Sequence, residues 1–308
     1  MANERIGVLL MAYGSPASLD DVEAYSTHIR GGRKPTSEQL EGLKERYRAI
    51  GGRSPLLEIT HRQAQALEAY LNEATGPKRW RVYVGMKHWH PFIAEAAEQM
   101  AREGIQQAIA LALAPHYSRL SVGGYIQAVQ EALEKLAMPF PVTFIESWHD
   151  YPLFLRAIAQ RIDAALRRFP DSLRAQVPVI FTAHSLPERI LKWGDPYPTQ
   201  LRESCEGVAK LVGLQHWRFA YQSAGHTPEP WLGPDVLNVI ADLGQQGHEA
   251  VLICPIGFVA DHLEILYDID VECRKQADSL GMQLERTESL NDDVQFIEVL
   301  AGIIQRCL

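Results

Sequence analysis

The stretch PVIFTAHSLPERILKWGDPYP (178–198) brings one imidazole, His184, to the lip of an apolar run, Val179–Thr182, and then turns away through Ser-Leu-Pro. A strand end is a rigid place from which to hold a reacting group. An imidazole there can take a proton near neutrality or bind a metal, and a capped turn histidine is the plain alternative. A second set of groups follows in CPIGFVADHLEILYDIDVEC (254–273), where Glu264, Asp268 and Glu272 recur at every fourth residue. On an α-helix that spacing aligns the three carboxylates on one face. Like charges in a row repel, so the row is either a solvated acidic edge or a track for a cation. Leu263, Ile265, Leu266 and Ile269 give Glu264 partly buried company. A helix after the strand ending at Ile253 brings Glu264 near the strand end bearing His184. Imidazole plus carboxylate suits a divalent first-row metal.

The elements that must position these groups follow from hydrophobic patterning. Short apolar runs predict strands at Ile6–Met11, Arg81–Val84, Ala108–Leu113, Val142–Ile145, Val179–Thr182, Arg218–Tyr221, Ala250–Ile253 and Gln283–Glu285. Amphipathic stretches with helix punctuation lie between them. Ser18 with Asp21 and Thr36 with Gln39 read as capping boxes, Gly31 and Gly51-Gly52 as stops, and Ser54-Pro55 as the start of a helix reaching about Ala74. Strands alternating with helices predict an α/β fold with parallel sheets. GVLLMAYGSP (7–16) echoes PVIFTAHSLP (178–187), and LALAPHYSRL (111–120) faces LICPIGFVAD (252–261) in the same order. The reading is two similar Rossmann-like domains, 1–150 and 151–308, facing each other across a cleft. Ligands of such sheets bind beyond the carboxyl ends of the strands. Those ends carry Tyr13, Lys87-His88, His116-Tyr117, Ser147-Trp148, His184, Gln222-Ser223 and Gly257-Phe258. No G-x-G-x-x-G, P-loop, G-x-S-x-G or H-E-x-x-H occurs, which removes the main support for nucleotide, hydrolase and zincin readings.

The formal charge of −8 over 308 residues argues against a nucleic-acid binder. Between Arg30 and Arg53, however, seven Lys/Arg stand against three acids, a local +4 that offers an anion-binding rim or a solvated helix face. No run approaches the ~18 apolar residues of a membrane span, and MANERIGVLLMAYG lacks the features of a signal peptide. Cys205, Cys254, Cys273 and Cys307 lie far apart with no C-x-x-C, so neither a zinc site nor a cysteine-ligated cluster is written locally, and a cytoplasmic location is expected.

TAHSLPE, WGDPYP, GHTPEPWLGPDV and PIGFVADHLEILYD, together with MAYGSP and GMKHWHPFI, resemble the ferrochelatase family, closest to its soluble monoderm-bacterial coproporphyrin form. The resemblance implies insertion of Fe²⁺ into a porphyrin during haem synthesis, with the porphyrin held in the interdomain cleft. Carried over by motif, it makes His184 and Glu264 the inner catalytic and metal pair, with Asp268 and Glu272 as an outer acidic track. It places Tyr13 beside the macrocycle, Lys87 and His88 in the pocket wall, and Arg30 and Ser54 towards the propionates. Iron is then a substrate. No permanently bound cofactor and no iron–sulfur cluster are expected, since no four-cysteine group occurs. A monomer is implied, meeting an iron donor or haem-pathway enzyme transiently. Coproporphyrin III has four propionates and protoporphyrin IX two, so the +4 segment favours the former. The rival readings are a cobalt chelatase acting on a corrin precursor and a non-enzymatic haem or tetrapyrrole carrier.

Overall fold

All eight strands form where the apolar runs predict them. The computed structural model describes residues 5–75, 79–225 and 227–307. His226 of the GHTPEPWLGPDV stretch, and the first four residues of the N-terminal segment weighed as a signal peptide, lie outside them. Strands β1 (Ile6–Ala12), β2 (Trp80–Met86), β3 (Gln107–Ala112) and β4 (Val142–Ile145) make one sheet. Strands β5 (Val179–His184), β6 (Trp217–Gln222), β7 (Ala250–Cys254) and β8 (Gln283–Arg286) make another. Both sheets are parallel, with orders β2-β1-β3-β4 and β6-β5-β7-β8. The identical order accounts for the sequence echoes: β1 corresponds to β5, and β3 to β7. In each sheet the chain leaves the second strand in the order and returns on its other side, which opens a crevice at the carboxyl ends of those strands.

The central strands are buried on both faces, which is why they read as unbroken apolar runs. Successive side chains serve different cores because a strand has period two. Val8 and Leu10 of β1, with Val179 and Phe181 of β5, enter one continuous core. Leu9 and Met11 face the helix Ile93–Arg102 on the far side of the first sheet. Ile180 meets the helix Val236–Gln245 on the far side of the second. The shared core is filled from the helices Leu56–Thr75, Pro152–Leu166, Tyr197–Val212 and Val294–Gln305. The last of these packs on both Leu56–Thr75 and Pro152–Leu166, so the two sheets share one helical layer.

Helix punctuation is obeyed with one exception. Thr36 and Gln39 form a reciprocal capping box. The Ser54 hydroxyl accepts from the Leu56 N–H at 3.3 Å and opens Leu56–Thr75. Ser18 caps no backbone: its hydroxyl donates to the Asp21 carboxylate at 2.8 Å, and a short 3₁₀ turn precedes the helix Val22–Ile29. A second difference concerns the acidic row. One α-turn, Leu263–Leu266, passes into a π-type turn, Asp268–Cys273, in which the Tyr267 carbonyl accepts from both the Val271 and Glu272 N–H groups at 3.0 Å. The carboxylates therefore do not lie on one regular α-helical face. Single π-turns are rare and recur at functional sites.

Candidate active site

A cleft of about 970 Å³ opens between the carboxyl ends of the two sheets, with walls from both halves of the chain. That is the size range of pockets that enclose a whole organic ligand, about 300–1,000 Å³. Tyr13, Ser54 and Lys87 line it from the first half, and His184, Glu264, Asp268 and Glu272 from the second.

His184 ends β5, and a close packing contact fixes that end. The Gly257 N–H donates to the Thr182 carbonyl at 3.1 Å. A Cβ on Gly257 would come within 2.6 Å of the Ala183 Cβ and 2.9 Å of its Cα, so only glycine lets the Pro-Ile-Gly turn reach the strand. On the other side the Tyr197 hydroxyl donates to the His184 carbonyl at 2.9 Å. The same turn delivers Glu264, whose carbonyl accepts from the Gln222 amide at 2.8 Å. Glu264 Oε2 then stands 3.0 Å from His184 Nδ1 and 3.8 Å from His262 Nε2. The Trp231 ring stands edge-on to His184, centroids 6.4 Å apart.

This pair is electrically polarised. Burial works against a charge on His184, but the Glu264 carboxylate outweighs it and lifts the imidazole above its ordinary value. Burial likewise opposes ionisation of Glu264, and His184 and His262 together hold it well below the usual carboxylate range. An ionised carboxylate only accepts, so the contact puts the proton on Nδ1 and leaves the Nε2 lone pair free for a proton or a metal.

Asp268 is buried and gripped from two sides, by an ion pair with Arg46 across the cleft and by the Ser223 hydroxyl. Burial, with Glu264 adding to it against Arg46, pushes its carboxyl up to about 6. Ser223 has φ +60°, an uncommon conformation for a serine. Such outliers persist where surrounding contacts over-determine them.

The first half faces this acidic side with aromatic rings. Tyr13, Tyr25, Tyr47 and Tyr125 line the cleft. Burial, then the Glu264 charge, pushes the Tyr13 phenol up, so it stays protonated. Lys87 Nζ lies 5.2 Å from the Tyr125 ring centroid, in space left by Gly124, where a Cβ would approach to 2.4 Å. Burial lowers the Lys87 ammonium, and no carboxylate pairs with it among the described residues.

Arg30, His88, Tyr117, Ser147 and Trp148, all expected at the cleft from the sequence, do not line it. His88 packs behind Tyr13, ring centroids 4.5 Å apart, with its Nδ1 3.2 Å from His28 Nδ1. Burial, then Lys87 and His28, pushes it down to about 3, so it is a neutral support for Tyr13. Arg30 is half-buried outside the wall, its Nε without a hydrogen-bond partner among the described residues. Trp148, read as a cleft residue, belongs to the shared core, its Nε1 donating to the Ala112 carbonyl at 3.3 Å. The +4 of residues 30–53 is also largely answered. Glu23, Glu58 and Asp268, all outside the segment, pair with Lys34, Arg53 and Arg46, leaving +1. Sequence reading missed Arg46, Ser223 and His262 as partners of the acidic groups. The one available signal was Arg46 itself, a cation on the helix that faces the cleft.

The geometry agrees with three comparisons. A family model described as Ferrochelatase matches residues 5–308. The chain is 50% identical to a ferrochelatase of Herpetosiphon aurantiacus, covering 97% of this chain and 98% of that protein. It is 45% identical to a coproporphyrin III ferrochelatase of Geobacillus thermodenitrificans, covering 100% and 98%. Among solved structures it resembles SirB from Bacillus subtilis with Fe³⁺, with TM-score 0.61 over 98% of this chain and 95% of that one. At 9% identity that likeness concerns the fold alone.

Proposed function

We propose that this chain, which belongs to the ferrochelatase family, inserts ferrous iron into coproporphyrin III as a step of haem synthesis. One observation carries the residue-level reading: the His184–Glu264 contact of 3.0 Å at the wall of a cleft large enough for a flat macrocycle. Insertion requires two pyrrole protons to leave while the metal sheds water and gains ring nitrogens. His184 takes one pyrrole proton at Nε2, because Glu264 holds Nδ1 and stabilises the imidazolium that forms, and after passing it to solvent in the open cleft takes the second. Glu264, ionised despite burial, supplies the negative charge that draws the cation inward. Asp268 and Glu272, further along the same segment, are the outer steps of the metal path. The protonated tyrosines and Trp231 present flat apolar surface to the macrocycle, and Lys87 meets a propionate.

Iron is a substrate in this reading, and no resident cofactor or iron–sulfur cluster is invoked. The state of the cysteines supports that: Cys205, Cys254 and Cys273 are buried in packed cores, where burial raises their thiols and keeps them protonated. The enzyme is taken as a cytoplasmic monomer that meets an iron donor or a haem-pathway enzyme transiently. No helix among the described residues is long and apolar enough to cross a membrane.

The test is anaerobic insertion with porphyrin in large excess over protein, followed by absorbance. Multiple turnovers on coproporphyrin III support the reading. A single stoichiometric change would mark a carrier, and turnover only with cobalt and sirohydrochlorin would mark a different chelatase.

A further inference from the structure

Outside the cleft wall, a second arginine grips the segment that carries the acidic groups. Arg286 is the last residue of β8 and is not part of the cleft wall. Its guanidinium makes a bidentate pair with Asp270, Nε to Oδ1 at 2.8 Å and Nη2 to Oδ2 at 2.9 Å. Nη1 donates to the Thr287 carbonyl at 3.0 Å and stands 3.4 Å from Asp261 Oδ1. The side chain is 14% exposed. Asp261 in turn accepts from the Ser289 hydroxyl at 2.7 Å and the Asn291 amide at 2.9 Å. The Asn291 side-chain oxygen accepts from the Asp261 N–H at 2.8 Å, with Asn291 at φ +46°.

The placement of these partners matters. Asp270 lies within the π-turn, between Asp268 and Glu272. Asp261 begins the short run that ends at Glu264, and so Arg286 ties the two parts of the acidic segment to one strand end. A π-turn relaxes towards α unless tertiary contacts hold it, and relaxation would rotate Asp268 and Glu272 relative to Glu264. Arg46 holds Asp268 from the cleft side, and Arg286 holds Asp270 from the opposite side. Only a planar fork fits a bidentate carboxylate of this kind, so lysine is no equivalent.

We infer that Arg286 is a positioning residue for metal insertion: through Asp270 and Asp261 it sets where Glu264, Asp268 and Glu272 stand relative to His184. The inference rests on the proposed insertion reaction. Its test uses the full chain in four forms besides the parent: Arg286→Met, Arg286→Lys, Asp270→Asn and the double Asp270→Asn/Arg286→Met. Thermal unfolding first fixes a temperature at which each form is folded. Asp270→Asn, nearly isosteric, serves if Arg286→Met does not fold. Displacement of a reacting group by about 1 Å can cost about a hundredfold, so kcat should fall about ten- to a hundredfold and KM for iron should rise. Coproporphyrin affinity, read by fluorescence titration without metal, should stay at the parental value. Arg286→Lys should recover stability more than kcat, and the double variant should be no worse than the poorer single one. Folded Arg286→Met or Asp270→Asn with parental kcat and iron KM would overturn the inference. So would losses of porphyrin affinity and of kcat that simply follow thermal stability. A parent that inserts no iron would instead refute the reaction itself.

Discussion

Replacing Glu264 by Gln keeps the shape of the side chain and removes the charge that stands 3.0 Å from His184 Nδ1. Burial disfavours the imidazolium, and the carboxylate overcomes it, which is why His184 titrates above its ordinary value. A hydrogen bond to a charged group is worth about 1.5–3 kcal/mol, and one pK unit corresponds to about 1.4 kcal/mol. The His184 midpoint should therefore fall by about one to two units. Burial is then opposed only by the more distant Asp268 carboxylate, so the midpoint should move towards or below the ordinary imidazole value. The sign for activity follows from the chemistry. Neutral His184 accepts the pyrrole proton, so the acid limb of kcat/KM in the parent sits at the raised value. Residual activity of the variant should keep its limb at lower pH, on a plateau reduced about 10²–10⁴-fold. Two assays check this: an NMR titration of the imidazole C–H signals, and the pH profile of porphyrin metallation. A His184 midpoint that stays put or rises in Glu264→Gln would refute the coupling.

Asp268→Asn tests a cost built into the site. A carboxyl raised to about 6 in the folded protein, against about 3.9 unfolded, favours folding at low pH and loses that contribution as pH rises between those values. By pH 8 the loss is about 3 kcal/mol, so from pH 4 to pH 8 the parent should lose more thermal stability than Asp268→Asn, which should also insert iron more slowly. An equal change of unfolding temperature with pH in parent and variant would contradict the direction. Gly257→Ala should destabilise by about 1–3 kcal/mol through overpacking against Ala183, with insertion reduced more than coproporphyrin affinity, because His184 is the next residue. Retention of full activity would show that the turn has room to move. Lys87→Met should reduce kcat/KM for coproporphyrin III several-fold and flatten its dependence on ionic strength, whereas Arg30→Ala should have the smaller effect. The reverse ranking would return Arg30 to the porphyrin site.

The fold was almost wholly legible because strands buried on both faces leave unbroken apolar runs, and because the repeated order of the two sheets leaves paired motifs. His184 and Glu264 were legible for a related reason: His184 ends such a strand, and Glu264 lies on the turn that follows the neighbouring one, at the crevice end of the sheet. The acidic row was legible as residues but not as geometry. The π-turn depends on Arg46 and Arg286, which reach Asp268 and Asp270 from positions 222 and 16 residues away in sequence. Local spacing carries no record of such contacts. The +4 segment misled for the same reason, since three acids that answer it lie elsewhere in the chain. His88 and Lys87 are neighbours in sequence, yet only Lys87 lines the cleft, while His88 packs against Tyr13 and His28.

The central claim is that the His184–Glu264 pair performs insertion rather than binding. The most direct measurement compares the parent with His184→Ala on coproporphyrin III, reading anaerobic Fe²⁺ insertion and metal-free porphyrin affinity on the same preparations. The account predicts insertion reduced at least about a hundredfold with porphyrin affinity retained. Near-parental turnover by His184→Ala, or a loss of insertion matched by an equal loss of porphyrin binding, would contradict it.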